Sequence, residues 1–272
     1  MAAMVATERS TVQRLYDACA IIFSSSPTKA LPTLWQLRWL QTILGIYICM
    51  HDHIYGCFSR SFQFPLFTTA DAMEPIDVGI DGSGEESSHG LILGQAVREI
   101  TYVHIHECQD FSIGVFCFPA GATLPLHDHP NMVVLTKVLY GSISVQSYDW
   151  VDSSSSSNSP RRSGLARTVD DGCTLQSSSK VSVLFPKGGG NIHSITALSP
   201  CAILDVLAPP YSEQQGRSSS YYVSTPVPSL PGFSILEETG VPDDLHVVGA
   251  TYLGPELSFD LIDTERAKVS TP

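Results

Sequence analysis

The sequence predicts a mainly β domain of sandwich or barrel type, preceded by a short helical region. After residue 91 the chain consists of short runs rich in Val, Ile and Phe, separated by turn residues, and such runs are typical of strands. No helical segments alternate with these runs, so a parallel sheet with crossover helices is not expected. Many short strands of this kind favour a closed or double-layered antiparallel sheet, of which the jelly roll is one form.

Two amphipathic helices are expected before the strands, over residues 11–22 and 31–44. In both segments apolar side chains recur every three or four residues, a spacing that places them on one face of a helix. In the second segment these side chains are Leu34, Leu37, Leu40 and Leu44. We expect both helices, which fall in an N-terminal region of residues 1–44, to serve packing only.

Residues 45–70 interrupt this pattern, because they are rich in aromatic residues and follow no sustained period. If residue 71 followed Leu44 directly, Met73 would continue the helical stripe three positions further on. We therefore predict an insertion here, for which a translated intron is one origin and a genuine lineage-specific loop the alternative. Residues 71–90 are acidic and rich in Gly and Ser, which predicts an exposed connector.

The β domain is expected to span residues 91–260, followed by a tail of residues 261–272. Strands are predicted over residues 100–106, 111–118, 132–139, 142–148, 181–185, 192–197 and 202–207. Between the fourth and fifth of these lies a low-complexity stretch, residues 152–180, which contains five consecutive serines. We interpret that stretch as a hairpin tip with a short strand at residues 165–169.

A pair of histidines, His127 and His129, is the first candidate for chemistry. In a strand, residues two apart point to the same side, so both imidazoles would enter one interior. Neutral imidazole is the commonest side-chain metal ligand, and two convergent rings begin a metal site. Gly121 and Gly141 bracket the segment, at places where the backbone must turn.

The spacing of these glycines and histidines resembles the first signature of the cupin superfamily, which implies a double-stranded β-helix. That signature usually places a Glu four or five residues after the second histidine, where this chain has Val133 and Val134. The wider text, from Tyr102 to Trp150, resembles plant cysteine oxidases and their relative cysteamine dioxygenase. The resemblance covers residues 91–255 and implies a three-histidine site without a carboxylate ligand.

The third ligand implied by the resemblance is His193, at the end of Phe185-Pro-Lys-Gly-Gly-Gly-Asn-Ile-His193. This text resembles the second cupin signature as the family has it, with Ala197 where Asn is frequent in other cupins. Three imidazoles leave positions for a substrate and for O2, and suit iron, zinc or copper by ligand type. The choice of Fe(2+) comes from the resemblance.

Two further residues, Asp205 and Tyr211, are candidates for catalysis. Asp205 lies within the apolar run of residues 202–208, where a carboxylate is costly unless it is paired or functional. A turn carboxylate bonded to the backbone is the alternative. The resemblance implies a pocket carboxylate for a substrate ammonium or a ligand water, and places Tyr211 at the substrate entrance, orienting thiol or oxygen. Ser219 stands where many relatives have a Cys, so any function of that thiol is not expected here.

The other histidines have structural interpretations first. His104 and His106 form a second pair with the same spacing, which the spacing alone does not exclude as a metal site; the resemblance makes it part of a core strand. His51 and His53 form a third pair in poor strand context. His89 and His246 are expected at the surface, and Cys108, Cys117 and Cys201 are expected to be buried thiols.

Composition limits the partners. A formal net charge of −12 disfavours binding to nucleic-acid phosphates and to anionic membranes. No apolar run approaches the roughly 20 residues of a membrane span, and the N-terminus lacks a signal-peptide pattern. Seven cysteines without regular spacing indicate reduced thiols in a cytoplasmic and nuclear protein. No nucleophile triad or P-loop pattern is present.

The resemblance implies a non-haem Fe(2+) thiol dioxygenase that converts cysteine to cysteine sulfinic acid with O2. Relatives act on cysteine at protein N-termini, notably of hypoxia-response transcription factors, which enter the arginine branch of N-degron turnover. A dioxygenase for free cysteine or cysteamine, or a non-catalytic metal-binding cupin, remains an alternative. We expect a monomer.

Overall fold

The computed structural model describes residues 9–24, 31–44, 73–81, 91–92, 95–151 and 163–259. Its helical elements are α1 (Thr11–Cys19) with a π-helical continuation (Ala20–Ser24), α2 (Leu34–Leu44), and 3-10 turns at Pro75–Val78 and Glu213–Gln215. In these described ranges, none of the helices has the length and apolar character that crossing a membrane requires.

Fourteen strands account for most of the remaining described chain. The strands are β1 (Leu91–Ile92), β2 (Gln95–Ala96), β3 (Ile100–Glu107), β4 (Ser112–Phe118), β5 (Thr123–His127), β6 (Val133–Tyr140), β7 (Ser142–Trp150), β8 (Ser163–Gln176), β9 (Ser182–Leu184), β10 (Ile192–Ala197), β11 (Cys201–Ala208), β12 (Tyr221–Pro226), β13 (Phe233–Thr239) and β14 (Val247–Ala250).

Twelve of the strands form two sheets that face each other, while β1 and β2 pair separately. One has six strands in the order β14-β3-β4-β11-β6-β9, and the other closes on itself in the order β10-β5-β12-β13-β8-β7, with β10 pairing β7. The pairing of β14 with β3 is parallel, and the other pairings of the two sheets are antiparallel. The predicted mainly β, cupin-type architecture is confirmed.

Side-chain alternation along β11 shows how the interior is divided. Ala202, Leu204 and Val206 belong to the cluster that includes the helices. Ile203 belongs to the cluster between the two sheets. Because alternate residues of a strand point to opposite faces, Asp205 shares the inward face with Ile203. The period of two therefore places this carboxylate between the sheets.

The N-terminal helices cover the outer face of the six-stranded sheet. The Ser10 side chain accepts a hydrogen bond from the backbone N–H of Gln13 at 3.3 Å, which caps α1. In α2 the side chains of Leu37, Leu40 and Leu44 are buried, as the stripe predicts, and Met73 lies in the same cluster. Leu34 was expected on this stripe but is 72% exposed; it is the first residue of α2.

Two expectations differ from the structure. The stretch expected as a hairpin tip, with a short strand at residues 165–169, contains the fourteen-residue strand β8, because β8 pairs with β7 along its length and with β13 on its other edge. A 3-10 turn lies within the predicted connector. The proposed insertion at residues 45–70, the serine run, His51, His53 and His89 lie outside the described residues.

Candidate metal centre

His127, His129 and His193 converge between the two sheets. His127 is the last residue of β5, and it pairs with His193, the second residue of β10. The three side chains each offer a nitrogen, and these atoms lie within 4.8 Å of one another. The strand argument for the His127–His129 pair was wrong in one respect, because β5 ends at His127 and His129 lies in the following turn.

All three histidines are buried, with exposures of 5–7%. Burial lowers the pKa of His127, and it lowers the pKa of His193 to about 3, with the neighbouring His127 contributing. The pKa of His129 lies well below its ordinary value because of burial and of the two other rings. The three imidazoles are therefore neutral at physiological pH, which is the state in which they bind metals.

Hydrogen bonds determine which ring nitrogens are available. His127 Nδ1 lies 2.8 Å from the carbonyl oxygen of Pro125, which can only accept, so Nδ1 carries the proton and Nε2 keeps its lone pair for a ligand. His129 Nε2 and His193 Nδ1 are buried and have no hydrogen-bond partner among the described residues. Buried, unpaired nitrogens are costly without a ligand. This donor set fits a divalent transition metal.

The Tyr211 hydroxyl determines the orientation of His129. It donates to the carbonyl oxygen of Asp128 at 2.9 Å and lies 2.8 Å from His129 Nδ1. Because its proton is used on the carbonyl, it accepts from the Nδ1–H group, which leaves Nε2 of His129 for a metal. Tyr211 also lines the cavity, and its place at the substrate entrance stays a prediction. The contacts of its hydroxyl, however, are with the ligand segment, residues 127–129, which contains the first two histidines.

Asp128, between the two ligand histidines, was missed in the sequence. Its backbone N–H donates to Ser220, and its carboxylate accepts from the Ser220 backbone N–H at 2.8 Å and from the Tyr222 hydroxyl at 3.1 Å. Its carbonyl also accepts from Ser219 at 3.3 Å. Burial raises the pKa of Asp128, and these hydrogen bonds oppose that shift. Asp128 therefore ties residues 219–222 to the ligand segment.

The Gly-rich turn before His193 is held by two polar side chains. Asp149 accepts hydrogen bonds from the backbone N–H groups of Gly189, Gly190 and Asn191 at 2.9–3.2 Å. Gly189 and Gly190 have φ values of 81° and 79°, which favour glycine. Asn191 accepts from the backbone N–H of His129 and donates to its carbonyl oxygen. The turn and the first pair of ligands are thus joined directly.

Asp205 and the three histidines line one cavity of about 430 Å³. Asp205 lies in the middle of β11, so the alternative of a turn carboxylate does not hold. Thr136 donates to Asp205 Oδ1 at 2.5 Å, and Oδ2 has no hydrogen-bond partner among the described residues. Burial raises the pKa of Asp205 to about 6, and the hydrogen bond from Thr136 partly opposes this shift. A free carboxylate oxygen therefore faces the histidines' cavity.

The second histidine pair does not line the cavity. His104 is exposed, and His106 packs against Tyr16 with ring centroids 4.8 Å apart; a bulge between them breaks the strand register. Val134, one of the two positions at which the cupin signature usually has a Glu ligand, lines the cavity. Cys117 and Cys201 are buried, Cys108 is half-buried and His246 is exposed. Ser219 lines the cavity wall.

Residues 69–257 match the model of the PCO_ADO family. The chain is 32% identical to plant cysteine oxidase 1 of Arabidopsis thaliana, over 91% of this chain and 80% of that protein. It is 33% identical to the 2-aminoethanethiol dioxygenase of Homo sapiens, over 58% of this chain and 68% of that protein. A solved RmlC-like cupin protein from Desulfovibrio desulfuricans matches with 23% identity and a TM-score of 0.27, over 46% of this chain and 99% of that one. The match to the family model and the similarity to plant cysteine oxidase 1 together show that this chain belongs to the PCO_ADO family.

Proposed function

We propose that this chain oxidises the thiol of an N-terminal cysteine of a polypeptide to a sulfinic acid, using O2 and Fe(2+). Its family makes it a thiol dioxygenase with a cupin fold. The observation that carries the proposal is the shared cavity, in which three neutral histidines face one buried carboxylate with a free oxygen. This arrangement suits a substrate that carries both a thiol and an ammonium group.

The reaction balances without another reductant. A thiol and one O2 molecule give one sulfinic acid, so both oxygen atoms end on sulfur and the four electrons that sulfur loses reduce O2. Iron held by His127, His129 and His193 would supply activation of O2 and of the thiolate. Iron rather than zinc is the proposal because thiol oxidation by O2 needs a redox-active metal, and the resemblance to the thiol dioxygenases favours iron over copper.

The chain's own residues orient the reactants. Asp205 is largely ionised near neutral pH, because its pKa of about 6 lies below 7, and its free oxygen can accept from the substrate ammonium. Tyr211 keeps His129 in the tautomer that offers Nε2. The apolar part of the cavity wall excludes water around the reacting groups.

The biological setting follows the same proposal. N-terminal-cysteine proteins such as hypoxia-response transcription factors would be the substrates, and their oxidation would lead into N-degron turnover. The protein would act as a monomer in cytoplasm and nucleus. The absence of regular cysteine pairing in the sequence and the five free thiols among the described residues support a reducing compartment.

The test is anaerobic loading with Fe(2+), followed by O2 and a Cys-initiated peptide. We expect a mass gain of two oxygen atoms on the peptide. Changing His127, His129 or His193 to Ala should abolish bound iron and activity, whereas His104→Ala, the matched control, should keep both. Iron loss in His104→Ala with retention in His127→Ala would contradict the assignment. Oxidation of free cysteine or cysteamine but not of peptide would favour the small-thiol alternative, and iron binding without any oxidation would favour a non-catalytic cupin.

A further inference from the structure

The cavity that contains the histidines has a polar part and an apolar part. Around the histidines the other polar lining side chains include Thr136, Asp205 and Ser112. Another part of the wall, the apolar part, is formed by the uncharged side chains of Phe116, Leu124, Ile195, Leu245 and Val247. The cavity therefore offers more than a thiol and an ammonium group require, and the additional space has an apolar lining.

Two exposed residues line the cavity, one near each end of β3, and we take them to mark its openings to solvent. Among its lining residues, Glu107 and Val247 are the exposed ones, and Val247 is 44% exposed. Glu107 ends β3, whereas Val247 pairs with Ile100 at its beginning. At a rise of about 3.3 Å per residue these two positions are roughly 23 Å apart. Asp205 lies between them, because it pairs with Gly114, which pairs with His104.

We propose, on the basis of the proposed function and as a deepening of it, a path for the substrate. The polypeptide that follows the substrate cysteine runs through the apolar part and leaves the cavity over Val247. Glu107 and Asp205 place negative charge in the part of the cavity away from Val247, which favours the substrate ammonium there. The chain beyond the cysteine then faces Leu124, Ile195 and Leu245, where any apolar side chains it carries lose contact with water.

The strand at this opening supports the same path. β14 forms the edge of the six-stranded sheet, and no described strand pairs with its outer side. Val248 is 40% exposed, and space beside Gly249 is open. An extended peptide can hydrogen-bond to such an edge through its main chain, whatever its sequence. An enzyme acting on different proteins with N-terminal cysteine would gain from recognition of this kind.

The test blocks the opening and compares two substrates. In Val247→Trp, the ratio of kcat/KM for a Cys-initiated peptide of about eight residues to kcat/KM for cysteamine should fall by about tenfold or more, because only the peptide must pass this position. Val151→Trp is the matched control, since Val151 is also 44% exposed but lines no part of the cavity and lies on neither β3 nor β14. It should leave the ratio unchanged.

The outcomes are distinct. If Glu107→Trp lowers the ratio and Val247→Trp does not, the chain leaves by the opposite opening and the inference is overturned. An unchanged ratio in Val247→Trp, with peptide still oxidised by the unmodified protein, also overturns it while leaving the proposed function intact. If the unmodified protein oxidises cysteamine but no peptide, the proposed function fails and the inference fails with it.

A second variant keeps the test informative if Val247→Trp does not fold or load iron. Leu245→Ala enlarges the apolar part of the cavity. It should raise the rate for peptides with a bulky second residue relative to peptides with glycine there, and bound iron should be unchanged. Equal effects on both peptides would contradict the path.

Discussion

At the scale of single residues, the function depends on side chains that are unfavourable for folding unless they have partners. Three neutral histidines and the Asp205 carboxylate are buried in one cavity. Burial without full hydrogen bonding costs free energy, and such sites are often functional. His129 Nε2 and His193 Nδ1 lack hydrogen-bond partners in the described part of the chain, as expected of nitrogens that bind a ligand.

Replacing Asp205 by Asn should change stability and activity in opposite directions. Because its folded pKa is raised from 3.8 to about 6, the folded protein binds more protons than the unfolded chain between these values. The free energy of unfolding therefore falls as pH rises through this window, and the penalty is complete above pH 6. In the metal-free protein at pH 7, Asp205→Asn should raise the free energy of unfolding by about 1 to 3 kcal/mol.

The same variant should keep iron but show strongly reduced turnover, because the amide does not supply a negative charge to the substrate ammonium. Denaturant unfolding at several pH values measures the stability gain, which should widen up to pH of about 6 and then remain constant. Normal turnover in Asp205→Asn would show that the carboxylate has no part in the reaction.

At the scale of elements, the Gly-rich turn before β10 is the feature on which the third ligand depends. Its backbone N–H groups at residues 189–191 converge on the Asp149 carboxylate, which is in turn 4.0 Å from Arg167. A strand residue of β7 thus determines where β10 begins. Asn191 then connects the same turn to both backbone groups of His129.

Asp149→Ala should lower the free energy of unfolding by about 2 to 4 kcal/mol, because three donors lose a charged acceptor. It should also weaken iron binding, since His193 follows the turn by two residues. Chemical denaturation and iron content measure the two effects. Asp171→Ala, which removes an exposed carboxylate from β8, is the control and should change neither. Equal stability of the two variants would contradict this role of Asp149.

At the scale of the whole molecule, the N-terminal helices form part of the domain core. Leu44 ends α2 and Met73 begins the next described segment, and both side chains are buried in the same cluster with β-sheet residues. This neighbourhood agrees with the helical stripe that would continue if the two segments were joined. Residues 45–70 lie between them in the sequence and outside the described part.

Deleting residues 45–70 should preserve iron content and activity and improve solubility. The deleted segment contributes no residue to the metal motifs, and its clustered aromatic residues favour aggregation when exposed. Sedimentation, iron content and the peptide assay measure the outcome. A control deletion of residues 34–44, which removes the buried face of α2, should destabilise the protein. Loss of stability on deleting residues 45–70, or native transcripts that encode them throughout, would contradict the insertion hypothesis.

The pattern of residues determined much of this protein. Strand-forming runs separated by turns predicted the β domain, and the motifs around His127, His129 and His193 predicted which side chains converge. Asp205 was predicted because a carboxylate within an apolar run stands out without any knowledge of its neighbours. Each of these signals is local, or repeats within a short segment, so it is visible before folding.

Only the tertiary structure decided how the site is supported. Asp128, Asp149 and Asn191 are common polar residues, and nothing in their local sequence shows that their partners in the site lie between 40 and 94 residues away. The same holds for Tyr211, whose hydroxyl contacts the ligand segment, and for β8, whose polar sequence becomes a long strand because it pairs on two sides. Hydrogen bonds across sheets depend on register and closure, and these arise only when the whole chain packs.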